Sequence, residues 1–315
     1  MRSPTRAPAG QPTAPSARRR VGLVAASAAL AGAAFQAARP RQWPKNLLVF
    51  AAPLAGASLG RDDGFWYALV AFAAFTAAAS AIYLINDVLD IDRDRAHPVK
   101  RHRPVAAGRL PQSSALVLAG TGLAVAVLAS LAIRVPLLAA VIVSYVAVSL
   151  LYSAGFKHLP WIELAFVASG FVFRALGGAV ATHVPPSGWF LAVCSLGALM
   201  VATGKRYTEL SALGRRAVAH RPVMRWYSAP LLRAVQRAAI AALLASYLAW
   251  ALSERTPWLL GWHLASLLPL AGALVRFDWL TGRADGRPVE DLITRDRLMV
   301  CCEAAWLAMF LAGLA

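Results

Sequence analysis

Long apolar blocks follow one another from about residue 44 to the C-terminus, each near the length of a bilayer crossing and set off by polar stretches. Inside lipid such a block must satisfy its own peptide groups, and an α-helix does so within the segment. The blocks predict nine transmembrane helices, at about 44–60, 64–86, 112–133, 135–154, 159–182, 187–204, 229–252, 257–276 and 299–314. Composition excludes one large soluble core: 59% of residues are hydrophobic and 15% charged, where soluble domains carry about 25% charged residues. The chain reads as an all-α, polytopic membrane protein spanning 39–315.

Ahead of that domain, residues 1–20 are rich in Pro, Ala and Arg without apolar periodicity, and are expected to be a disordered basic tail. Residues 21–38 are expected to form an interfacial or lead-in helix. Cys194, Cys301 and Cys302 all fall in apolar segments and show no metal-ligand spacing, so they read as small buried hydrophobes. A net charge of +17 raises nucleic acid as a partner, but its distribution argues instead for a membrane face. Twenty-eight of the 32 Lys and Arg residues fall on one set of loops and tails. By the positive-inside rule that side is the cytoplasm, with the N-terminus inside the cell membrane and the C-terminus outside.

The second block ends in the acid cluster NDVLDIDRD, Asn86 to Asp94, and runs into a basic loop. On a helix turning about 100° per residue, Asn86, Asp90 and Asp94 stand at about 0°, 40° and 80°. Asp87 falls at about 100° and Tyr83 at about 60°, whereas Asp92 points elsewhere, near 240°. Like charges on one stripe destabilise a helix and invite a counter-cation. Oxygen ligands from carboxylate and amide suit a hard ion, Mg²⁺ or Ca²⁺, and a site with few carboxylates completed by substrate phosphates is the usual Mg²⁺ arrangement. The bland reading is that these aspartates only pair with Arg93, Arg95, Lys100 and Arg101 on a wet loop. No Gly-rich phosphate loop, zinc spacing or GxSxG turn is present.

NDVLDIDRD resembles the NDxxDxxxD motif of the UbiA superfamily of intramembrane prenyltransferases. The resemblance runs from about Arg39 to the C-terminus. It implies nine helices around a membrane-open cavity with its site on the cytoplasmic side, and motif aspartates (Asp87, Asp90, Asp94, with Asn86) that hold Mg²⁺ on a diphosphate. Most of that superfamily carries a second acidic motif, DxxxD, after the sixth span. Here the stretch is GKRYTEL, with Lys205, Arg206 and Glu209. One acid of the pair is replaced by a base, as suits a reaction that brings two anions together. The stretches RPRQWPKNLLVFAAPLAG, YSAGFKHLPWIEL, GFVFRALGGAV and GKRYTEL are similar to one branch, the decaprenyl-phosphate phosphoribosyltransferases of actinobacterial cell-wall synthesis.

That branch implies phosphoribosyl pyrophosphate as donor and a long polyprenyl phosphate as acceptor. Only four lysines stand beside 28 arginines, and all four (Lys45, Lys100, Lys157, Lys205) lie at cytoplasmic ends or loops. Phosphate binding is their natural task; chance survival on a basic face is the alternative. The expected substrate-binding set is Arg41, Lys45 and Asn46 at the first span's entrance, Tyr83, Arg103, Tyr152, Lys157, Arg174, Arg206 and Glu209. Lys205 joins the three aspartates as catalytic. Tyr152 and Lys157 share no helix face unless Gly155 breaks the helix, and Tyr152 also reads as an interfacial aromatic. Arg174, in the middle of a span, is expected in the cavity on a phosphate or paired with Glu163 or Glu209, with snorkelling as the alternative. No catalytic histidine is expected. The rivals are a prenyltransferase acting on an aromatic or lipid acceptor, and a transporter. A transporter predicts charge near mid-bilayer, whereas here charge sits on one face. Homo-oligomerisation is left open.

Overall fold

The structure, a computed structural model, describes residues 27–61, 63–214, 222–254, 256–283 and 289–314. The expected tail at 1–20 and the first residues of the lead-in helix lie outside the described residues. From residue 27 to 37 the chain is helical (α1). An entry segment then runs as a 3₁₀-helix, Pro40–Phe50, into a short α-turn, Ala51–Ala55 (α2). The rest is α3 Gly64–Leu89, α4 Ile91–Ala96, α5 Gln112–Ala132, α6 Pro136–Ala154, α7 Ile162–Ala181, α8 Gly188–Leu213, α9 Ala229–Ser253, α10 Pro257–Arg283, α11 Val289–Arg295 and α12 Arg297–Leu314. Among the described residues there is no strand.

Eight of these helices (α3, α5 to α10 and α12) are long and apolar enough to cross a membrane, so the chain is a multi-pass membrane protein. The ninth expected crossing, 44–60, is replaced by the entry segment and α2. Pro44, inside the segment, lacks an N–H and fixes φ, which disfavours a regular α-ladder there. A 3₁₀-helix rises faster, and eleven such residues at about 2.0 Å plus five α-residues at about 1.5 Å reach about 30 Å. That matches the hydrocarbon core of a bilayer, about 30 Å thick.

A stretched helix with poor internal bonding needs outside anchors, and the entry segment has three. Trp43 Nε1 donates to Ser80 Oγ and to the Ala38 carbonyl, both at 3.2 Å. Asn46 Nδ2 donates to Thr76 Oγ1 at 2.9 Å. At Gly178 of α7 the two backbones meet so closely that an added Cβ would stand 1.7 Å from the Val49 carbonyl oxygen.

Helix α3 is the hub. Its buried face is largely alanine (Ala68, Ala71, Ala74, Ala78, Ala81) around Phe75, and such small residues let helices approach closely in lipid. Half of its apolar window is enclosed by protein, against about a sixth for α12 at the periphery. One apolar cluster joins α3, α5, α6, α7 and Val49; another joins α8, α9, α10 and α12. Cys301, expected to be buried, is exposed on α12, and Cys194 and Cys302 are half-buried. On a peripheral helix an outward thiol faces lipid, an apolar surround that needs no protein burial.

Candidate active site

The acid stripe sits where α3 ends. Asp90 is the C-cap residue, at φ −98°, ψ 12°. The turn nevertheless keeps helical register, because the Asp90 amide donates to the Asn86 carbonyl at 2.9 Å and the Asp94 amide to the Asp90 carbonyl at 2.8 Å. Spacing that predicted a single stripe therefore survives the change of helix. Asp87 and Asp94 are 1% and 2% exposed, and Asp92 lies on the open side, as the helical angles required.

Three cations from three different elements face the three carboxylates. Arg39, at φ 55° ahead of the entry segment, hydrogen-bonds Asp87 Oδ1 and lies over the Tyr83 ring at 4.7 Å. From the basic loop, Arg103 Nη1 reaches Asp94 Oδ2 at 2.6 Å and Asp87 Oδ1 at 3.3 Å. Lys157 Nζ stands 3.7 Å from Asp90 Oδ1. It gets there because α6 stops at Ala154 and a 3₁₀ turn, Phe156–His158, follows Gly155, the break expected from the sequence. Arg93 approaches Asp90 at 3.5 Å from the exposed side. The wet-loop pairing thus describes Arg93 and Arg95, while Asp87 and Asp94 are held by Arg39 and Arg103. His97 Nδ1 accepts the backbone amides of Val99 and Lys100, a loop role.

The donor set suits a hard cation in kind: one amide oxygen and three carboxylates. Among the described residues, no three of His, Cys, Asp and Glu converge as a ready metal cage, and arginines are bonded to two of the carboxylates. Asn86 Oδ1, however, is buried with no hydrogen-bond partner. A buried acceptor left unmatched is costly, and a divalent cation beside Asp90 would satisfy it.

A second polar group stands across the same end of the bundle. Arg206 on α8 is gripped by Glu163 on α7 through two bonds, Nε to Oε1 at 2.5 Å and Nη2 to Oε2 at 2.7 Å, and reaches Glu209 Oε2 at 3.0 Å. Tyr227 lies 3.4 Å from Glu163 Oε1 and accepts the Trp161 amide at 2.9 Å; burial pushes its phenol up to about 12. Next comes Arg233, over the Tyr207 ring at 5.1 Å and 3.0 Å from Asp278, with Gln236 donating to Asp278 and Thr281. These groups form a polar belt around one end of the molecule.

Several expected ligands have other jobs. Arg206 is buried, with its guanidinium bonded to Glu163 and Glu209. Its neighbour Lys205, about 100° around the helix, is exposed. Arg174 pairs with neither Glu163 nor Glu209: its Nε donates to Asn46 Oδ1 at 2.7 Å, and its head lies over Tyr145 at 5.0 Å. Those glutamates sit at the polar end, while Arg174 lies three turns into α7. Asn46, expected at the entrance, is fully buried between Arg174 and Thr76, because the 3₁₀ turn carries it inward. Arg41 is exposed and Lys45 half-buried. Tyr152 packs near Phe166, ring centres 6.2 Å apart. Sequence reading missed Arg39, Tyr227, Arg233 and Asp278 as members of the belt. Arg39 had a signal, since it opens the RPRQW stretch, whereas the pairings of the others are tertiary.

The UbiA prenyltransferase family matches residues 25–289. The chain is 40% identical over 287 residues to the decaprenyl-phosphate phosphoribosyltransferase of Mycobacterium tuberculosis, covering 89% of this chain and 93% of that protein. It is 38% identical over 286 residues to the protein of the same name in Corynebacterium glutamicum, covering 88% and 85%. The structure of a UbiA homologue from Archaeoglobus fulgidus bound to GPP and Mg²⁺ superposes with a TM-score of 0.64 at 13% identity, over 90% of this chain and 98% of that one.

Proposed function

The chain belongs to the UbiA prenyltransferase family, and from that premise we propose that it moves the 5-phosphoribosyl group of phosphoribosyl pyrophosphate onto decaprenyl phosphate. The observation that carries this reading is the Asn86–Asp94 acid stripe with its three matched cations, in a chain 38–40% identical to relatives named for that transfer. The bond from ribose C1 to pyrophosphate breaks, a bond from C1 to an acceptor phosphate oxygen forms, and pyrophosphate leaves. In-line attack inverts the anomeric carbon.

The acceptor oxygen is already anionic at neutral pH, so no base has to take a proton from it. The residues' work is electrostatic: both reactants are anions, and their charge must be offset in the place where they meet. Lys157, Arg103 and Arg39 would donate to the donor's phosphates, while Arg41, Lys45 and the exposed Lys205 would serve the acceptor's. Asn86, Asp87, Asp90 and Asp94 would hold Mg²⁺, which supplies charge neutralisation on the departing pyrophosphate. The unmatched Asn86 oxygen favours that assignment. The belt would face the cytoplasm, as supported by 28 of 32 basic residues on that side.

Purified protein offered labelled phosphoribosyl pyrophosphate with decaprenyl phosphate should transfer label into lipid only when Mg²⁺ is present. Label entering lipid from a prenyl diphosphate alone would instead make the chain a prenyl transferase and reject this donor.

A further inference from the structure

The same carboxylates that would hold the metal are already engaged. Asp87 and Asp94 have side chains only 2% and 3% exposed, and both are met by guanidinium groups. Buried carboxylates without counter-charge are strongly disfavoured, so the arginines stabilise the site as it stands. They also fill the directions from which a cation would approach. Arg103 spans two carboxylates with one nitrogen, and Arg39 is steered onto Asp87 by the ring of Tyr83 beneath it. Asp87, Asp90 and Asp94 are met by Arg39, Arg103 and Lys157, with Arg93 also 3.5 Å from Asp90 on the exposed side.

We propose that Arg39 and Arg103 are positioning residues that stand in for the metal until the donor arrives, and that they then pass from the carboxylates to the donor's diphosphate. A divalent ion alone must compete with both guanidiniums. A diphosphate offers those guanidiniums a new anion, and planar guanidinium suits phosphate as well as carboxylate. Metal and diphosphate therefore enter together, each raising the other's affinity by the same factor. The arrangement also keeps the site from binding free metal when no donor is present. This rests on the proposed donor site but not on the identity of the acceptor.

The test is equilibrium dialysis of Mn²⁺ against the full-length protein in nanodiscs, with inorganic pyrophosphate absent or equal on both sides, so that Mn²⁺ held by pyrophosphate alone cancels. The parent should bind Mn²⁺ alone weakly and much more tightly with pyrophosphate. Arg39→Gln and Arg103→Gln should each bind Mn²⁺ alone about tenfold more tightly, equivalent to about 1.4 kcal/mol of competition removed. Both should lose most of the gain from pyrophosphate. Arg103→Lys keeps the charge, and its ammonium can still meet carboxylates, but it lacks the planar fork that suits a diphosphate, so it should fall between, and it serves if the glutamine variants do not fold. Variants that bind Mn²⁺ no tighter than the parent, or that keep the full pyrophosphate gain, would overturn the proposal. Loss of lipid labelling with these binding results intact would instead count against the proposed transfer.

Discussion

At the scale of single residues, burial divides the charged groups by task. The Asp90 side chain is a third exposed, at the C-cap of α3, and faces Lys157. Asp90→Asn should therefore leave the fold intact and lower turnover by about 100-fold or more, the usual loss when one electrostatic contact to developing charge is removed. Turnover and thermal unfolding measured on the same preparation separate the two effects. Glu163 is the opposite case, with no exposed surface and both oxygens on Arg206. Glu163→Gln leaves the buried guanidinium with only the partly exposed Glu209 as counter-charge and should destabilise by about 3 kcal/mol. The double change Glu163→Leu with Arg206→Met removes both charges and should cost far less, because the desolvation of each ion disappears with it. Unfolding curves for the single and double variants decide whether this pair is structural.

At the scale of elements, the entry segment is the part that hydropathy could not describe. A window of apolar residues reports how far a chain can be buried, not how fast it rises, so 44–60 read as a first α-span where the chain forms the 3₁₀-helix Pro40–Phe50. Pro44 carried the signal, since it falls inside the segment, where an α-helix would need its missing N–H group. What holds the segment is close backbone contact, the Trp43 bonds to Ala38 and Ser80, and Asn46 bridging Thr76 and Arg174. Gly178→Ala should push Val49 away and destabilise by about 1–3 kcal/mol or more. Gly120→Ala on α5 has open space around it and should be neutral or stabilising by up to about 1 kcal/mol. Equal behaviour of the two in a thermal unfolding assay would show that the approach at Gly178 is not tight.

For the whole molecule, the helical architecture and the acid stripe were legible because each follows from a local rule: bilayer length for the spans, helical angle for the carboxylates. The partners were not legible. Arg39 meets Asp87 across 48 residues and Arg206 meets Glu163 across 43, and no local period encodes such a meeting. Nor was the pairing of Arg174 legible: mid-span position suggested a phosphate or a glutamate, and its guanidinium meets Asn46 and Tyr145. The polar belt and the basic loops share one end, so orientation is a property of the whole chain. In a background with Cys194, Cys301 and Cys302 replaced by Ser, Asp92→Cys should react with a membrane-impermeant maleimide in inverted vesicles and not in intact cells. The reverse pattern would place the belt outside.

The most direct test of the central claim is an experimental density map of the protein with Mg²⁺ and a non-reactive phosphoribosyl pyrophosphate analogue. The account predicts the diphosphate and its cation beside Asn86 and Asp90, within reach of Lys157. Density for them at Arg233 and Asp278, with the acid stripe unchanged, would contradict it.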